Sequence, residues 1–160
     1  MGYSDQTPDG EKRVKLIERR GLNRHNNVVD AYNIAGAEYG IGLGMHDVAQ
    51  LDGNIVIERA SGGEEMVPLF RESHREAREG DLIYGTDDHV LWLSGQIGRD
   101  ADDFRVTTDT DKALLMAVGN EETSEEYNRS VCRRAFDLIS KTCSNASIEF
   151  LDVEKPVVNA

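Results

Sequence analysis

The residues of this chain best suited to chemistry lie between positions 40 and 47. Three glycines at two-residue spacing, GIGLG (Gly40 to Gly44), run into Met45, His46 and Asp47. An imidazole beside a carboxylate could serve as a general acid and base, but chain neighbours seldom reach the same substrate atom. The glycines could cradle a phosphate only between a strand and a following helix. Here they follow a helical segment, so they read as a sharp turn that lets backbone approach a neighbour or a ligand closely. His25, His74 and His89 have no partners at periodic spacing and read as surface or structural residues. Asp100, Asp102 and Asp103 could hold a cation, yet they lack the glycine and terminal glutamate of an EF-hand loop, and a solvated loop is the plainer reading. Thr107, Thr108 and Thr110 form a hydroxyl-rich turn suited either to capping backbone N–H groups or to contacting a ligand. Trp92, in VLWLS, could stack on a base, but a single Trp within an apolar strand fits the core.

These residues need elements to position them. Residues 11–20 predict a short basic helix with Val14, Leu16 and Ile17 on its apolar side, ended by Gly21. Asn26 or Asn27 can cap a second helix, in which Val28, Tyr32, Ala35 and Tyr39 recur at helical spacing before Gly40. GIGLGMHDVAQLDG then reads as a glycine-punctuated loop with a single turn near Asp47–Leu51. NIVIERA and MVPLF predict strands around the turn SGGEE, with Pro68 marking an edge or bulge. RESHREAREG reads as an exposed charged connection, and DLIYG, HVLWLSG and KALLMAVG as three further strands. Thr123 and Glu126 suggest a capping box for a third helix facing inward through Tyr127, Val131, Ala135, Leu138 and Thr142, and SIEFLDV a final strand. Strands and helices at irregular intervals, without a βαβ repeat, give an α+β single domain: a mixed, largely antiparallel sheet with packed helices.

Composition sets the outer bounds. The 160 residues suffice for one domain with a sizeable core. No run approaches the roughly 20 apolar residues of a membrane span, and MGYSDQTPDGEKR has no signal-peptide core, so no membrane partner is expected. Cys132 and Cys143 form no CxxC and flank no histidine cluster, which fits a reducing cytoplasm and offers no metal site. A net charge of −12 argues against a dedicated nucleic-acid binder, and no DNA partner is expected. The charge is uneven, because residues 11–25 carry six Lys and Arg against two Glu. Arginine exceeds lysine 13 to 5, a balance that would suit a high-salt setting where such charges are screened.

The order of the segments carries more than any one of them. NNVVDAYNIAGAEYGIGLGMHDVAQLDGNIVIERASGGEEMVPL, then GDLIYGTDDHVLWLSGQIG and RVTTDTDKALLMAV, resembles the editing domain of the bacterial phenylalanyl-tRNA synthetase β subunit, the B3/4 (tRNA-binding B3/B4) domain. The closing SEEYNRSVCRRAFDLISK and IEFLDVEKPV are similar to free-standing proteins of that family, which usually carry a longer N-terminal segment. The resemblance covers roughly residues 22–153, leaving 1–21 as a tail with the short basic helix and 154–160 as a C-terminal tail.

In the synthetase, the resemblance implies, this domain hydrolyses tyrosine wrongly attached to the phenylalanine tRNA, without a cofactor. It places Asn33 on the Asn of the family's helix motif, Tyr32 where the synthetase has Thr, and Thr110 on the Thr before the strand. The family's editing histidine falls on Gly44, and the glutamate that contacts the misattached side chain falls on Met116. The implied pocket therefore lies among Tyr32, Asn33, Gly42, Gly44, Thr110 and Met116, with no catalytic residue assigned. Arg19, Arg20 and Arg24 are the candidate RNA contacts. The implied partner is a tRNA or aminoacyl-tRNA, with trans-editing by deacylation as the activity. The alternative is a non-catalytic module for a free amino acid or small metabolite, which the acidic balance favours.

Overall fold

The computed structural model describes residues 7, 9–49, 51, 53–94, 98–119 and 122–151. Three helices and eight strands follow in the order α1 (Asp9–Arg20), α2 (Asn27–Tyr39), β1 (Gly42–Asp47), β2 (Val56–Arg59), β3 (Glu65–Met66), β4 (Arg75–Glu76), β5 (Leu82–Gly85), β6 (Val90–Leu93), β7 (Arg99–Asp100), β8 (Ala113–Val118) and α3 (Glu125–Ile139). Every strand pairing among them is antiparallel, in sheets ordered β1-β8, β2-β5-β6-β7 and β3-β4. This is a mixed α+β single domain, as its sequence predicts.

Helix α2 begins and ends on local chemistry. The Asn26 side chain accepts from the Val29 N–H, and Gly40 takes the left-handed conformation with its N–H returned to Ala37 O and Gly36 O. Helix α3 is capped by Ser124, whose hydroxyl accepts from the Tyr127 N–H, one residue after the expected Thr123. Its inner face is Val131, Ala135 and Ile139 at i, i+4 spacing. These residues join Ala31, Tyr32 and Ala35 of α2 and Leu43 and Met45 of β1 in the larger core. A smaller cluster of Ala60, Met66, Ala77, Ile83, Leu93 and Ala101 holds the four-stranded sheet to the β3-β4 hairpin.

Several expectations are corrected. The glycine run after Gly40 is a strand, β1, because β8 gives its backbone a partner from Gly42↔Val118 to Asp47↔Ala113. A loop reading of glycines ignores such distant pairing. The segment 71–80 is not wholly exposed, since it contains β4 and buries Ala77. MVPLF contributes only Met66 to a strand, with Pro68 in an isolated bridge to Ala101, as a residue lacking an N–H requires. Residues 147–151 form no strand, and positions 152 and 153 of that segment lie outside the described residues.

Helix α1 packs on α2 and β1. The contact is closest at Gly10, where an added Cβ would stand 1.9 Å from Gly40 O.

Candidate functional site

Pairing with β8 turns alternate residues of β1 to opposite faces. Leu43 and Met45 enter the helical core together with Leu115 and Ala117 of β8. Gly42, Gly44 and His46 face the other way, in register with Val118, Met116 and Leu114. Without side chains at 42 and 44, that face leaves a cavity of about 230 Å³ lined by Lys12, Arg13, Leu16, Trp92, Asp100 and Val118, among others. Its size suits an amino-acid-sized group, below the roughly 300–1,000 Å³ of pockets enclosing drug-sized ligands.

The polar centre is a cluster of three side chains from three strands. His46 is fully buried, and its Nε2 lies 2.7 Å from the Tyr84 hydroxyl and 3.6 Å from Asp100 Oδ1. All three crowd the space above Gly44, where a Cβ would meet Asp100 Oδ1 at 2.9 Å, the Tyr84 hydroxyl at 3.1 Å and His46 Nε2 at 3.5 Å. Burial pushes the His46 imidazole down to about 4, so it is neutral at pH 7. Its Nδ1 has no hydrogen-bond partner among the described residues. An orphaned lone pair is cheaper than an orphaned N–H, which places the proton on Nε2 as donor to Tyr84. The Tyr84 proton is then free to be donated in turn. Burial first, then the Asp100 carboxylate and Tyr32, raise the Tyr84 phenol well above its usual range and keep it a donor. Tyr84 is fixed in turn by stacking on Trp92, with centroids 5.5 Å apart and an interplanar angle of 9°.

Tyr32 and Asn33 of α2 reach the same region. Tyr32 is buried, and burial with the Asp100 charge pushes its phenol up to about 12, while Arg13 acts in the opposite sense. The Arg13 guanidinium, from α1, donates to Asn33 Oδ1. Thr110 stands elsewhere. Its hydroxyl donates to Asp47 Oδ2 at 2.6 Å and accepts from the Thr107 N–H, tying the turn before β8 to the end of β1. Met116 shares the cavity face opposite Gly44, although the β8 residue lining the cavity itself is Val118. Arg19 and Arg20 end α1 and Arg24 follows it; all three are exposed.

Four residues of this region escape a linear reading. Lys12 and Arg13 look like part of a solvated basic face, and Tyr84 like any inward residue of a strand. Asp100 reads as part of an acidic loop, whereas only Asp102 and Asp103 lie in the turn, Asp102 pairing with Arg105 at 3.1 Å and Asp103 exposed. Trp92, expected in the core, is half-buried and walls the cavity. Among the described residues, no group of three His, Cys, Asp or Glu side chains is arranged to hold a metal ion. Nor is any of their helices long and apolar enough to cross a membrane.

Comparison with known proteins matches the B3/4 domain over residues 4–144. The chain belongs to the B3/4 domain family. The match takes in helix α1, which brings Lys12 and Arg13 to the cavity. Among relatives of this B3/4 domain, the phenylalanine–tRNA ligase beta subunit of Fusobacterium nucleatum is 33% identical over 93 residues, 58% of this chain and 11% of the ligase subunit. That of Lactiplantibacillus plantarum is 32% identical over 116 residues, 70% of this chain and 14% of the relative. That of Geobacter metallireducens is 32% identical over 122 residues, 76% and 14%. The B3/4 chain thus spans a small fraction of the length of these relatives.

Proposed function

We propose that this B3/4 domain binds the aminoacyl group at the 3′ end of a tRNA and serves deacylation of mischarged tRNA in trans. The observation that supports this reading is the pairing of unlike charges across an amino-acid-sized cavity. Asp100 lines it from β7, and Lys12 and Arg13 line it from α1. An aminoacyl ester carries an ammonium group within two bonds of a polarised carbonyl. The carboxylate suits the first group, and the cations suit the carbonyl or the adjoining phosphate. The wall formed by Trp92, Leu16 and Val118 suits the rest of the side chain. The relationship to ligase beta subunits supplies the tRNA.

The alternative is a non-catalytic amino-acid module, and one observation favours it. On the resemblance, the family's histidine and glutamate fall on Gly44 and Met116, which pair across β1 and β8 without a titratable side chain, and the buried His46 is held neutral by its surroundings. Purified protein incubated with misacylated phenylalanine and alanine tRNAs separates the two. Release of the amino acid faster than the uncatalysed rate, reduced at least about ten-fold in Asp100→Asn, is expected for an editing site. No acceleration for any pairing removes the deacylase. Thermal stabilisation by amino-acid amides, lost in Asp100→Asn, would then leave the binding module standing.

A further inference from the structure

Phe70 is 66% exposed, with Leu151 the most exposed large apolar side chain among the described residues. Its φ of 60° lies in the left-handed region, where bulky L-residues seldom sit and where such strain concentrates at ligand-binding positions. The surroundings hold it there. The Phe70 N–H donates to Asp102 Oδ1 at 2.8 Å, and the neighbouring Arg71 N–H to Pro68 O at 2.9 Å. One side of the ring is met by His25, nearly parallel at 6° with centroids 6.2 Å apart. A ring so engaged and still two-thirds exposed presents its other face to solvent.

Position and charge indicate what that face receives. Leu69, the preceding residue, donates its N–H to Asp100 O at 2.8 Å, so the ring stands on the strand edge that carries the cavity's carboxylate. Arg24 and Arg71 flank the two rings in sequence, are exposed, and take part in none of the ion pairs found among the described residues. Two carboxylates of these segments are already engaged, Asp30 by the His25 N–H and Asp102 by Phe70 and Arg105. An open aromatic face with exposed, unpaired arginines beside it in the chain supplies the two kinds of group that hold an unpaired base and its phosphates.

We infer that Phe70, backed by His25, is a stacking platform for an unpaired nucleobase of an RNA 3′ end, with Arg24 and Arg71 on its phosphates. The inference rests on the aminoacyl-tRNA reading and adds a contact surface outside the cavity. It predicts that affinity for RNA and occupancy of the cavity depend on different residues.

Fluorescence anisotropy with a labelled, uncharged RNA hairpin bearing a short unpaired 3′ end tests it, beside the same hairpin with an abasic last nucleotide. The wild type is expected to prefer the intact end. Phe70→Gly, which suits the positive φ and so folds at least as well, is expected to lose that preference, by roughly 5- to 150-fold in affinity. Phe70→Tyr should retain it. Arg24→Glu with Arg71→Glu should weaken both hairpins and flatten the salt dependence. Equal binding of the intact end by Phe70→Gly and wild type overturns the platform, as does a wild type indifferent to the abasic end. Self-association abolished by Phe70→Gly, without RNA binding, overturns it in favour of a second copy of this chain. Stabilisation by amino-acid amides through Asp100, measured on the same proteins, reports on the cavity alone. Its survival in Phe70→Gly shows the variant intact, and its absence from a wild type that binds the intact end sinks the cavity reading while leaving the platform.

Discussion

The two faces of β1 share six residues of backbone and differ in everything else. One face gives Leu43 and Met45 to a close-packed core under α2 and α3, where apolar volume is the stabilising quantity. The other gives Gly42 and Gly44, which contribute space, and His46, which fills its position with a buried polar ring. The first face resists a loss of atoms and the second an addition of them. Stability and binding are thereby separated by a single strand's alternation.

The largest break of this contrast is on the packed face. Met45→Ala should lower the unfolding free energy by about 2–5 kcal/mol, read from urea melts, while a chain that still folds keeps its response to amino-acid amides. On the cavity face the corresponding stability effect is one of protonation. The folded pKa of His46 is about 4, below its ordinary 6.5, so the unfolded chain binds the extra proton between those values. Stability contributed by this group is complete above pH 6.5 and is lost as the pH falls toward 4, by about 3 kcal/mol in all. Urea melts across that window should show a loss in the wild type exceeding that in His46→Gln by this amount; parallel curves would mean His46 is solvated. Gly44→Val sharpens the comparison from the other side. Its side chain would press on Asp100 and Tyr84, so ligand stabilisation should vanish while unfolding stability moves by about 1–2 kcal/mol. The smallest effect belongs to neither face. Arg134 grips Glu38 through two contacts of 2.6 and 2.8 Å, yet both side chains are solvated, and Arg134→Ala should melt with the wild type.

The same contrast explains what a linear reading could find. The α2 helix was legible from end to end, because Asn26, its apolar spacing and Gly40 are local signals. The strand segments around Ile57, Ile83, Leu91 and Leu115 were legible from their β-branched and aliphatic runs. β1 was not, since glycines carry no pattern and its partner lies some seventy residues on. The cluster above Gly44 was hidden for a related reason. His46, Tyr84 and Asp100 stand on β1, β5 and β7, and only the assembled sheets bring them together. Family order pointed to Gly42, Gly44, Tyr32 and Asn33, which do gather at this region, but it placed Thr110 with them, where the structure ties that hydroxyl to Asp47. Arg13 had no local signal at all, because its role depends on where α1 comes to rest.

That resting place hangs on Gly10. The helix backbone there lies against Gly40 O so closely that one further carbon atom would act as a wedge. Arg13, the next turn along, would be levered away from Asn33, and Lys12 and Leu16 with it. The mouth of the cavity is thus gauged from a distance, by a methyl group that a mutation could supply and this sequence leaves out.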